Sequence, residues 1–315
     1  MDLYSSILIT GSSGMVGKSL VLKLKEKGFE NLILPSSSDL NLINQEETES
    51  FFKKNKIEYV FHLAGKIGGI GASISQPVEF LYENMMINFN VVNSSHINNV
   101  KKLLFLGSSC IYPLNTEQPM KEDCLLSGKL EPTNEGYSLA KISGIKLCEY
   151  MNQQYKTNYI CLIPPNLYGY YDHFNDKNSH VISSLIYKFH FAKINNAPFV
   201  EIWGSGLSRR EFMFVDDASD AMIYFMNYIN NDKNNSIINI GTGHDISISD
   251  LALMIKKIVD YKGKLYFDLN KPDGMPHKLM DSSISDLYGW RSKKDLNEGL
   301  EITYQWYKNE YKEDK

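Results

Sequence analysis

The stretch that decides the fold is ILITGSSGMVG, Ile7 to Gly17. Four apolar or β-branched residues run into a loop with glycines at 11, 14 and 17, and the chain continues as KSLVLKLKEKG, apolar at helical spacing. Strand, glycine turn and helix together form the context in which such a pattern reads as phosphate binding. Glycines permit the tight turn, the close approach of backbone to a pyrophosphate and the packing of helix against strand. The helix N-terminus then faces the phosphates with free N–H groups and a positive dipole end. Gly11, Ser12, Ser13, Gly14, Met15, Val16 and Gly17 are therefore the expected seat of a dinucleotide, in the spacing GxxGxxG.

Outward from this loop the pattern repeats. NLILP (31–35), a helical stretch through EETESFFKKN (46–55) and YVFHLAG (59–65) complete a βαβαβ order, the mark of a parallel sheet with right-handed crossovers. A helix at 80–99, the strand LLFLG (103–107), a helix at 137–155 and YICLIPP (159–165) extend it. Beyond Pro165 the pattern loosens into aromatic loops, a helix through 179–194, the turn WGSG (203–206) and short strands such as IINIGTG (237–243). The expected architecture is α/β: a Rossmann-like, doubly wound parallel sheet over 1–165, to which later segments return, and a smaller α/β lobe over 166–315 that takes substrate. The tail YKNEYKEDK (307–315) reads as frayed.

Composition bounds the partners. The chain has 315 residues, 43% hydrophobic and 22% charged, with a net charge of −4, which is ordinary for a globular protein and shows no basic stripe for nucleic acid or a membrane surface. No apolar run approaches the roughly 20 residues of a membrane span. Cys110, Cys124, Cys148 and Cys161 have neither metal-ligand spacing nor the density of a disulfide framework, so no metal is expected and the four read as thiols of a reducing, cytoplasmic compartment. A small molecule and a second copy of the chain are the expected partners.

The end of the second strand reads LPSSSDL (34–40), with three hydroxyls before Asp39. Hydroxyls such as that of Ser37 suit a ribose phosphate better than a carboxylate would, which favours NADP(H) over NAD. After LGSS (106–109) comes YSLAK, with Tyr137 and Lys141 four apart on one helix face. Alone, such a pair is most often a surface pair. Behind a glycine loop and a serine-tipped strand it has a use: a tyrosine beside a lysine and a positive nicotinamide would have its pKa lowered and could exchange a proton with a substrate C–O as hydride moves, while Ser108 holds the same oxygen.

These residues resemble the extended short-chain dehydrogenase/reductases. LGSSCIYP (106–113), EPTNEGYSLAKISGIKLCE (131–149), PNLYG (165–169), NSHVI (178–182), WGSG with RREF and VDDASDA (203–221), and KPDGMPHKLMD (271–281) further resemble the GDP-L-fucose synthase branch, the GDP-4-keto-6-deoxy-D-mannose 3,5-epimerase-4-reductases. The similarity runs from about Ile7 to Trp306. It implies two stages at one site. A base and an acid, a cysteine and a histidine in this branch and Cys110 and His180 here, invert carbons beside the C4 ketone. NADPH then reduces C4 while Tyr137, tuned by Lys141, protonates the oxygen and Ser108 hydrogen-bonds it. The resemblance also places Leu106, Gly107, Lys141, Pro164, Asn166, Leu167 and His180 at the cofactor, and Lys188, Trp203, Arg210 and Asp273 at the GDP moiety. It implies a homodimer through the helices around 80–99 and 137–155.

The chain departs from the branch in places. Ser13 and Ser37 stand where arginines are usual, and Pro165, Tyr170 and Lys188 replace a threonine, a proline and an arginine near the sugar and diphosphate. A GDP-4-keto-heptose is therefore an alternative substrate, and C4 reduction without epimerisation an alternative reaction. A non-catalytic dinucleotide-binding sensor is the reading from a different class.

Overall fold

The computed structural model describes residues 1–175, 179–228, 230 and 236–310. Asn178 of NSHVI and the last five residues of the tail lie outside that set, while Tyr307 to Glu310, read as frayed, belong to the final helix.

The chain opens with β1 (Ile7–Thr10), α1 (Met15–Glu26), β2 (Leu32–Ile33), α2 (Gln45–Asn55) and β3 (Tyr59–His62). It continues with α3 (Ile70–Ser75), α4 (Pro77–Ile97), β4 (Lys102–Leu106), α5 (Glu135–Tyr155) and β5 (Tyr159–Ile163). After these come β6 (Asn166–Tyr168), α6 (Val181–Ile194), β7 (Phe199–Trp203), β8 (Arg209–Phe214), α7 (Val215–Tyr228), β9 (Ile237–Asn239), β10 (Asp245–Ser247), α8 (Ile248–Val259), β11 (Lys264–Asp268), β12 (His277–Lys278), α9 (Ser283–Leu287) and α10 (Leu296–Glu310).

Six strands form one parallel sheet in the order β2-β1-β3-β4-β5-β9. The order turns between β1 and β3, the switch point outside which an open α/β sheet binds its ligand. Consecutive strand residues serve two different cores. Leu8, Val60, Leu103, Phe105 and Cys161 face α2, α4 and α5, whereas Ile7, Ile9, Phe61, Leu104 and Ile160 face α1 and α7. A strand covered on both faces needs apolar residues along its length, which is why β1, β4 and β5 are apolar runs interrupted only at their ends, by Thr10 in β1 and Lys102 in β4.

A separate core lies among α6, β7, β8, α8 and α10. Around it β10, β8 and β12 form a sheet with β6 also pairing β8, and β7 pairs β11. Although β9 and α7 come late in the chain, β9 pairs β5 and α7 packs on α1 in the first unit. Among the described residues no helix is long and apolar enough to cross a membrane.

Candidate functional site

The glycine loop is shaped for an anion. Gly11 sits at φ +73, and a Cβ there would lie 2.9 Å from the backbone nitrogen of Ala64 at the end of β3. A Cβ on Gly17 would stand 2.2 Å from the carbonyl oxygen of Gly11, so any side chain would lift α1 off the loop. Gly14 caps α1 without a side-chain bond, and no acid occupies the first turn. That leaves N–H groups and a positive dipole end with Ser12, Ser13, Met15 and Val16 around them, which fits a dinucleotide pyrophosphate. At the end of β2, the Ser36 amide and hydroxyl donate to Asp39 at 3.0 and 2.6 Å. These bonds hold the Asp39 carboxyl below its ordinary range, and Ser37 beside them is exposed.

The candidate reacting groups sit where β4 ends. Gly107 donates to the Leu162 carbonyl at 2.8 Å and Ser109 to that of Pro164 at 3.1 Å, so Leu106, Gly107 and Pro164 lie between the ends of β4 and β5. One 3₁₀ turn follows over Ser109–Ile111, with the Cys110 amide donating to the Ser108 hydroxyl at 3.5 Å. The Ser138 hydroxyl donates to the Cys110 carbonyl at 2.9 Å, tying the first turn of α5, and hence Tyr137, to that strand end. Lys141 donates from Nζ to the Leu106 carbonyl at 2.8 Å and stands 5.8 Å from the centre of the Tyr137 ring. Burial pulls its ammonium down to about 8, against the opposing influence of Cys110 and Cys161.

The tyrosine departs from the sequence expectation. Desolvation, with Cys110 adding to it, raises the Tyr137 phenol above its ordinary value. A desolvated lysine bonded to a carbonyl does not offset that cost. Behind these groups the Thr10 hydroxyl meets His62 at 2.8 Å, His62 meets Asn88 at 3.0 Å, and Asn88 donates to the Ala140 carbonyl at 3.0 Å. This buried chain fixes α5 to β1.

Ser108, Cys110 and Tyr137 open onto a cavity of about 380 Å³ whose walls also include Asn166, Leu167 and His180 and, further along, Lys188, Trp203, Arg210 and Asp273. Lys141 lies behind this wall, bonded to the Leu106 carbonyl, and the glycine loop, Ser37, Leu106, Gly107 and Pro164 do not line the cavity. Asn166 donates to the Glu211 carbonyl at 3.3 Å. Lys188 reaches the Glu201 carbonyl at 3.2 Å and stands 5.7 Å from the Trp203 ring, with Lys271 at 5.1 Å. Arg210 donates to the carbonyls of Arg209 and Asp273 at 2.8 and 3.2 Å, and burial brings its guanidinium down to about 10. Asp273 accepts from the Ser205 amide and hydroxyl at 2.8 and 3.1 Å, so its carboxylate already holds the WGSG turn.

Several wall residues escaped sequence reading. Glu131 and Thr133 line the cavity, bonded to each other at 3.0 Å, as do Gly68 and Gly69 after β3. Lys278 stands beside Arg210 in the β12–β8 register, its ammonium lowered by burial and by Arg210 while Cys110 opposes. Glu131 and Lys278 lie inside blocks quoted for the resemblance, and that was their one signal. Chemically, the cavity offers two hydroxyl donors to one carbonyl oxygen, a thiol two residues from one of them, an imidazole, and a cationic end suited to phosphates.

The chain is 46% identical over 307 residues to the GDP-L-fucose synthase of Escherichia coli (strain K12), covering 96% of each chain. Its structure is similar to that of a GDP-6-OMe-4-keto-L-xylo-heptose reductase from C. jejuni, with TM-score 0.94, 39% identity and coverage of 98% of this chain and 99% of that one. It is also similar to a GDP-mannoheptose C4 reductase from Campylobacter jejuni with NADP bound, with TM-score 0.90, 42% identity and the same coverage. The profile of the NAD dependent epimerase/dehydratase family matches residues 7–241, and the chain belongs to that family.

Proposed function

We propose that the protein is an NADPH-dependent 3,5-epimerase and C4-ketoreductase of a GDP-4-keto-6-deoxy sugar. The observation that carries this reading is the meeting of Ser108, Cys110, Tyr137 and His180 in one cavity that runs on to Lys188, Trp203, Arg210 and Asp273. One end matches a sugar ketone and the other a nucleoside diphosphate. Gly11 to Gly17 and Ser37 hold the cofactor, with Leu106, Gly107, Pro164, Asn166 and Leu167 toward its nicotinamide. NADPH, when bound, supplies the hydride for C4.

The chain's own groups do the rest. The Cys110 thiolate takes the proton from a carbon made acidic by the neighbouring ketone, and His180 returns one from the opposite face. Tyr137 gives its phenolic proton to the developing alkoxide, Ser108 hydrogen-bonds that oxygen, and the Lys141 ammonium stabilises the phenolate left behind. Arg210 and Lys188 meet the diphosphate, the former as a rigid fork. The identity to E. coli GDP-L-fucose synthase supports the pairing of both activities.

The test is incubation with NADPH and a GDP-4-keto-6-deoxy sugar in deuterated water, followed by NMR. Deuterium at C3 and C5 with NADPH consumed is the expected result. Consumption without exchange leaves a C4 reductase, and no change in either refutes the reading for that sugar. Cys110→Ser should suppress exchange and spare reduction of an already epimerised ketone.

A second reading, C4 reduction of a GDP-4-keto-heptose, is favoured by the two heptose reductases of like structure. Repeating the incubation with the heptose decides between them. In the cytoplasm the enzyme works as a homodimer through α4 and α5, whose exposed Val78, Tyr82, Phe89, Leu139 and Tyr150 exceed what a solvated helix pair presents. Tyr150→Glu should halve the mass measured by light scattering.

A further inference from the structure

His180 is half exposed at the N-cap of α6, where nothing in its own helix orients the ring. What stands next to it is Asp172, 7% exposed, with Oδ1 3.8 Å from His180 Nδ1. That oxygen also accepts the His173 amide at 2.8 Å, while Oδ2 is buried with no hydrogen-bond partner among the described residues. A buried carboxylate with half its capacity unused is costly unless a cation faces it.

The chain around Asp172 is fastened on both sides. Tyr170 donates to Asp216 and packs on Phe214 at 5.4 Å between ring centres. Tyr171, at φ +68, packs on Trp306 of α10 at 5.2 Å and lies under the Lys18 ammonium at 5.0 Å. Phe174 is buried against Trp306 and Tyr307 at 5.9 and 4.8 Å. The Ser179 hydroxyl accepts the Asn175 amide at 2.9 Å and donates to the His173 carbonyl. A left-handed tyrosine between two anchored aromatics is a strained arrangement, kept because its neighbours fix it.

We propose that Asp172 is the positioning residue of His180: it holds the imidazole with Nδ1–H toward itself and Nε2 toward the cavity. The inference rests on the reading of His180 as proton donor. In the inversion, the Cys110 thiolate becomes a thiol as it takes the substrate C–H proton. The imidazolium gives its Nε2 proton to the same carbon from the other side, breaking N–H and forming C–H. The ring is left neutral with Nδ1–H still on Asp172. The Asp172 carboxylate 3.8 Å away raises His180 above its ordinary value, against desolvation. The dipole at the N-terminus of α6 also opposes a charged ring, and Cys110, Tyr137 and Lys188 share the cavity.

The experiment uses the full-length enzyme. Histidine NMR follows the His180 ring, identified as the signal missing from His180→Gln, alongside deuterium exchange into the GDP-4-keto sugar and NADPH oxidation with an epimerised ketone. The wild-type midpoint should lie above about 6.5, and Asp172→Asn should lower it. Exchange should fall roughly tenfold to a hundredfold, with its acid-requiring limb moved to lower pH, while reduction changes less than about threefold. Asp172→Glu should restore part of both. A folded Asp172→Asn with unmoved titration or undiminished exchange overturns the proposal. If that variant does not fold, a wild-type midpoint at or below 6.5 overturns it. Full exchange in His180→Gln would instead refute the role given to His180, and the titration would still decide the coupling.

Discussion

The two walls of the cavity are held in place by different means. Ser108, Cys110 and Tyr137 hang from the end of β4 and the first turn of α5, where Lys141, Ser138, Asn88 and His62 are all buried and bonded. His180, Lys188, Trp203 and Arg210 come from α6, β7 and β8 and are partly exposed, with Lys188 and Arg210 tied to backbone carbonyls and His180 facing Asp172. On the proposed function, the groups that would meet one carbonyl oxygen sit on the element with least freedom, and those that would select the sugar nucleotide sit where a substitution disturbs less packing.

That contrast can be broken most severely at Tyr137. Tyr137→Phe should slow reduction by about a thousandfold while leaving NADPH binding, read by fluorescence, within a factor of two or three. A proportional loss of binding would place the tyrosine in recognition. The pH profile is the next largest effect. Because burial brings Lys141 to about 8, single-turnover reduction should fall as pH rises through about 8, by up to tenfold per unit as the ammonium is lost. A flat profile to pH 10 would remove Lys141 from the step.

On the other wall Arg210→Met should raise KM about tenfold to a hundredfold with kcat changed severalfold at most, since a group that binds ground and transition states alike acts on KM. A kcat effect of equal size would erase the distinction between the walls. The smallest effect falls on stability. His62 is fully buried and held at about 3, against 6.5 in the unfolded chain. The unfolded state therefore takes up a proton below pH 6.5 that the folded state refuses. Stability from this group is complete above 6.5 and falls toward pH 3, by about 2 kcal/mol at pH 5. Urea unfolding of the wild type and His62→Gln at pH 7 and pH 5 measures it, and equal losses in both would count against it.

The first wall was legible in the sequence because its residues follow rules of position: a glycine loop after an apolar strand, a serine at a strand end, a tyrosine and lysine one turn apart. There β3 to β5, α4 and α5 lie within a few residues of where periodicity puts them. The second lobe was largely illegible. Its strands are no shorter than those of the first sheet, but they pair across distant segments in small sheets, β8 with β6, β10 and β12 and β7 with β11, and β9 and α7 join a sheet begun more than a hundred residues earlier. α8 did carry a readable signal, Ser247 accepting from Asp250 ahead of an amphipathic run, that went unread. Asp172 is another matter. Nothing in YGYYDHF points eight residues ahead to His180, because their meeting depends on aromatic packing against a helix at the far end of the chain.

That last contact makes one segment answer to another far along the sequence. Trp306 and Tyr307 of α10 clamp the aromatics on either side of Asp172, so a change that unseats the indole would be felt at the carboxylate facing His180 without touching the cavity wall itself.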